Sequence, residues 1–131
     1  MLPGDTFETI FQITKELSGL PEFRLAPTGL DKASTKLITR LALGVLPAAE
    51  AGSVVHVVVR EAATDNDLEL KRSGHTPAGD DVALLVLSAE QLRGWRAGLR
   101  EVVEWLAGQE IYYRTGYSDS EIAIAVAAMG D

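Results

Sequence analysis

Apolar residues recur every three or four positions in three stretches of the chain and crowd into short unbroken runs in two others, which separates helices from strands. Asp5-Thr-Phe-Glu8 has capping-box spacing, and Phe7, Ile10, Phe11, Thr14 and Leu17 then follow a helical period until Gly19 and Pro21 stop it, predicting a short amphipathic N-terminal helix. Leu92, Trp95, Leu99, Val102, Val103 and Leu106 form one stripe on a long helix beginning after Ser88, whose hydroxyl is placed to cap it, with Gln91 three residues on. Ser118-Asp-Ser-Glu121 is a second box and opens an alanine-rich C-terminal helix over Ile122 to Ala128.

The unbroken runs are Ser53-Val-Val-His-Val-Val-Val-Arg-Glu61, whose valines resist a helix, and Asp81-Val-Ala-Leu-Leu-Val-Leu-Ser88, which leads into the long helix. Thr64-Asp-Asn-Asp67 reads as a polar turn, Leu68 and Leu70 as part of a half-exposed strand, and residues 74–81 as a loop. Residues 35–46 fit both periods: Leu37, Thr39, Leu41, Leu43 and Val45 alternate, while Leu37, Ile38, Leu41 and Val45 suit a helix. Gly44 and the two threonines favour the strand. Phe23 and Leu25, bracketed by Pro21 and Pro27, predict a brief edge strand. The expected fold is therefore α+β in a single domain, residues 1–131. An antiparallel meander of about four strands packs against the long helix, flanked by the short N-terminal and alanine-rich C-terminal helices. Both central strands are apolar on both faces, so each face requires a cover: the two helices, or a second copy of the chain.

Composition narrows the functional classes. Twelve Lys and Arg against 19 Asp and Glu give a net charge of −7, which repels nucleic-acid backbones and anionic lipid. The absence of cysteine excludes disulfides and thiolate chemistry and suits a cytoplasmic location. No run reaches the length of a membrane helix.

Candidate chemistry is sparse. His75 with Asp80 and Asp81 lacks the ligand count of a metal site, the acids around Asp65 lack the central glycine of a calcium loop, and no serine sits on a nucleophile elbow. Neither a metal, a cofactor nor catalytic residues are expected. Gly94 and Gly98 lie one turn apart on the long helix, on a flank shared with Trp105, and imply close approach by the C-terminal helix or by a homodimer partner. Tyr112, Tyr113, Arg114 and Tyr117 gather every tyrosine beside an arginine, a composition favoured where proteins meet. Arg93, Arg96 and Arg100 line the other flank of the long helix as candidates for an anion.

A meander followed by a long helix resembles, in outline, sheet-plus-helix folds of the whirly type, a resemblance that implies single-stranded nucleic-acid binding through the three arginines. The leading expectation is instead a non-enzymatic protein-interaction module, whether adaptor, immunity-type inhibitor or chaperone-like dimer. It would act through the long helix and the tyrosine segment, using Trp105, Tyr112, Tyr113, Arg114, Tyr117, Gly94 and Gly98. A small-molecule-binding protein or enzyme is a third class, requiring His56, His75 or the tyrosines to share one pocket.

Overall fold

A computed structural model describes residues 2–50, 56–61, 69–75, 81–106 and 109–129. Among the described residues six helices, α1 (Gly4–Thr14), α2 (Glu22–Leu25), α3 (Lys32–Glu50), α4 (Ala89–Trp105), α5 (Gln109–Thr115) and α6 (Asp119–Ala128), combine with strands β1 (Leu2–Pro3), β2 (His56–Glu61), β3 (Glu69–His75) and β4 (Asp81–Leu87). Single 3-10 segments, Lys15–Gly19 and Ala26–Thr28, follow α1 and α2.

The α+β class holds, but the meander does not. The sheet order is β1-β2-β4-β3, and β2 runs parallel to β4, with His56 opposite Val82 and Glu61 opposite Leu87. The antiparallel pairings are β3 with β4 and the two-residue β1 with β2, so the sheet is a mixed three-stranded one with a short edge addition. Local apolar patterning specifies a strand but not its neighbour, and here β4 lies between β2 and β3. The antiparallel outline behind the whirly resemblance is absent from this sheet. His75 belongs to β3 and Asp81 to β4, where they stand opposite each other, so the expected 74–81 loop is shorter at both ends. Residues 51–55, 62–68 and 76–80 lie outside the described residues, and with them the whole of the expected polar turn, Leu68 and the start of the valine strand.

Residues 35–46 are helical, in α3. The carboxylate of Asp31 accepts from the Ser34 amide at 2.7 Å, and the Thr35 and Thr39 hydroxyls donate to the carbonyls of Lys32 and Thr35 at 2.8 and 2.7 Å. The threonines that favoured a strand thus bond back along the helix, while Thr35, Ile38 and Ala42 bury one face in a helix that packs on α1. The expected edge strand at Phe23 and Leu25 is likewise a helical turn, entered from Pro21 and followed by a 3-10 turn containing Pro27.

α1 is the hub: Phe7, Ile10 and Ile13 have no solvent exposure, and the helix contacts α3, α4, α5, α6, β1 and β2. Its expected capping box does not form, since the helix starts two residues earlier, after Pro3, and Asp5 sits in the first turn. Burial of such side chains contributes roughly 1.5–3 kcal/mol each. The junction at Ser88 is as expected, its Oγ accepting from the Gln91 amide at 3.1 Å, and the Ser118 box with Glu121 is formed in full. α4, whose stripe was expected on the sheet, makes its main contacts with α1, α2, α3, α6 and the two 3-10 segments, while α1 and α3 make the main helix contacts to the sheet. Val57, Leu85 and Leu87 from one sheet face join the common core; Val86, on the opposite face, is buried outside it.

Candidate interaction surface

Gly94 and Gly98 do mark a close approach, but the occupant is neither α6 nor a second chain. A Cβ on Gly94 would come within 2.7 Å of Leu30 Cδ2 and 3.1 Å of the Thr28 carbonyl oxygen, and one on Gly98 within 2.7 Å of Leu17 Cδ2. Both glycines are buried under the 3-10 segments and their flanking residues, so the glycines themselves offer no surface for a homodimer. α6 meets α4 elsewhere, beside a shallow groove bordered by Val103, Ala123 and Val126, and Ile124 is 70% exposed.

The arginine stripe is divided among different tasks. Arg96 donates its Nε proton to the Met129 carbonyl at 2.9 Å, fastening the end of α6, while Arg93 and Arg100 are exposed. Arg24 pairs with Glu101 at 3.2 Å and Glu104 at 3.8 Å.

That ion pair belongs to a larger aromatic assembly. In the turn of α2, burying Leu25 leaves Phe23, two residues earlier, 69% exposed. At the end of α4, Val102 and Leu106 are buried while Trp105 remains 45% exposed. Phe23 and Trp105 meet edge to face, with ring centres 6.1 Å apart at 79°. The Arg24 guanidinium lies 5.3 Å from the Trp105 ring and 6.0 Å from Phe23, a cation held by two rings and two carboxylates.

α5 supplies the second half. Ile111 and Thr115 are buried, and the Thr115 hydroxyl donates to the Ile111 carbonyl at 2.6 Å; this leaves Tyr112 and Tyr113 turned outward at 57% and 74% exposure. Their rings lie 6.1 Å apart. Arg114 Nε donates to Glu110 at 2.8 Å and its Nη1 reaches Glu16 at 3.4 Å; the hydrogen bond to Glu110 and the charge of Glu16 hold the guanidinium pKa above its ordinary value. Trp105, Arg114 and Glu16 wall a depression of about 40 Å³ floored by Leu20, Val102 and Leu106, which brings the end of α4 beside Arg114 of α5. Tyr117 is set apart. Beyond the turn at Gly116, where φ is +81°, it is half-buried beside α1, with burial pushing its phenol pKa up and a hydrogen bond to Thr9 opposing that rise.

Of the expected partner-binding residues, Trp105 and Arg114 line one depression and Tyr112 and Tyr113 stand exposed on the same helix as Arg114, while Gly94, Gly98 and Tyr117 serve internal packing. Phe23, Arg24, Glu16 and Glu110 are the additions. Pro21 ahead of Glu22 was the available signal that residues 22–25 begin a helix rather than a strand. Among the described residues no three of His, Asp and Glu gather as metal ligands. His56 and His75 lie on strands separated by β4, whereas Tyr112 and Tyr113 lie on α5, which packs on α1. No helix among the described residues is long and apolar enough to cross a membrane. Comparison of the chain with family models, curated proteins and solved structures gives no match.

Proposed function

We propose that the chain is a non-catalytic protein-interaction module that receives its partner on the surface formed by Phe23, Trp105, Tyr112 and Tyr113. One observation carries this reading: two exposed aromatic pairs, Phe23 with Trp105 and Tyr112 with Tyr113, stand on segments whose Trp105 and Arg114 line one depression, and ion-paired Arg24 and Arg114 accompany them. Large rings with few rotatable bonds gain contact area at small entropic cost, and aromatic residues with arginine dominate the energetics of protein interfaces. Each ring leaves close to half or more of its surface in water, apolar area that a partner would cover.

The test is photo-crosslinking of the intact protein in cells, from a probe placed at Tyr112, followed by identification of the captured proteins. The expected result is a defined partner lost in the Phe23→Ala/Tyr113→Ala variant, whose unfolding free energy stays within about 0.5 kcal/mol of the parent because both side chains are exposed. Retention of the same partners by that variant, or capture of none by the parent, would overturn the reading.

A further inference from the structure

We infer that the segment received by this surface is cationic: a Lys- and Arg-bearing amphipathic stretch of a partner protein, its aliphatic stems laid on Trp105, Tyr112 and Tyr113 and its charges on the surrounding carboxylates. The inference rests on the interaction reading above and names the chemistry of the partner. Four carboxylates, Glu16, Glu101, Glu104 and Glu110, share two guanidiniums, Arg24 and Arg114, so the cluster carries −2. Each arginine is divided between two acids, and positive charge is the deficient species on both sides of the depression.

Charge complementarity then selects the occupant. An acidic segment would add to an existing surplus of negative charge, and an uncharged one would strip water from the carboxylates without replacing it. A basic segment supplies the missing partners, and the net charge of −7 extends the same preference to the approach of the two molecules. The chain already displays the binding mode: Arg24 sits with its guanidinium near two ring faces and two carboxylates at once. Tyr112 and Tyr113 follow Glu110 directly on α5 and stand exposed. Glu104 and Glu110, with side chains 70% and 55% exposed, make weak, readily exchanged pairs, so an incoming lysine or arginine competes with the internal ones there.

The test uses the full chain and two synthetic amphipathic peptides of about 18 residues with apolar anchors at helical spacing, one bearing lysine and arginine on its polar face and the other glutamate. Trp105 is 45% exposed and Trp95 fully buried, so a change in tryptophan emission reports the surface. The basic peptide is expected to bind saturably, about tenfold or more tighter than the acidic one. Raising salt from about 20 to 200 mM weakens it about fivefold. Glu104→Lys with Glu110→Lys is expected to lower affinity about tenfold, whereas the same change of charge at Glu61 and Glu90, outside the cluster, leaves most of it. Equal binding of the two peptides, no saturable binding, or an equal loss in the two charge-reversed variants overturns the inference. Crosslinked partners that depend on Phe23 and Tyr113 but touch the surface through acidic or neutral segments would also end it, while leaving the interaction reading intact. Absence of any partner dependent on those rings removes both.

Discussion

The indole N–H of Trp95 donates to the hydroxyl of Thr14 at 3.0 Å, across 81 positions of sequence and wholly inside the core. The same hydroxyl donates to the Ile10 carbonyl at 2.7 Å, so one small polar group satisfies the largest fully buried side chain and tethers α4 to the end of α1. Thr14→Val preserves shape and leaves the indole donor without an acceptor. An unfolding free energy lower by about 1–3 kcal/mol is expected in denaturant titration. Trp95→Phe in the Thr14→Val background should then cost less than in the parent, since the unsatisfied donor is gone; additive losses would show that the bond contributes nothing.

Substituting the two helix glycines separates propensity from packing. Alanine improves an exposed helical position by about 1 kcal/mol over glycine. At Gly94 the new methyl meets Leu30 and, at 3.1 Å, the backbone carbonyl of Thr28, which cannot turn aside. Gly94→Ala is expected to destabilise the protein by about 1–3 kcal/mol in thermal or denaturant unfolding. At Gly98 the closest obstacle is the far end of the Leu17 side chain, so Gly98→Ala is expected to cost less than Gly94→Ala. A reversed order would mean that the 3-10 segments yield more easily than the core leucine.

Burial raises the Tyr117 phenol above its ordinary pKa of 10.0. A folded-state pKa above the unfolded one gives stability that is complete below the unfolded value and lost as pH rises through the folded one. Unfolding followed between pH 8 and 11, a range of about 3 units centred on tyrosine titration, should show stability falling at the alkaline end. Tyr117→Phe should flatten that part of the fall. An unchanged alkaline slope in the variant would assign it to other groups.

Much of the architecture was written locally. The run from Asp81 to Leu106 carries a strand, a capping serine and a helical stripe in sequence, and each forms where its residues specify it. Residues 35–46 carried two compatible periods, and β-branching favoured the wrong one. What decides is the apolar face of α1, which buries Ile38 and Ala42 at helical spacing and has no signature in the segment itself. Strand direction was hidden for a related reason: nothing within β2 indicates that its partner is β4 rather than the next strand in sequence. The tyrosines and Trp105 stood out by residue type, but Phe23 gained meaning only when α2 brought it to Trp105.

Arg24 and Glu101 are 77 positions apart, and the rings beside them likewise come from opposite halves of the polypeptide. A fragment ending before α4, or a nascent chain still emerging during synthesis, lacks the assembled epitope however well its early helices form. Simultaneous engagement of Phe23 and Trp105 is therefore a readout of completed folding, and any binder that requires both discriminates finished molecules from truncated ones.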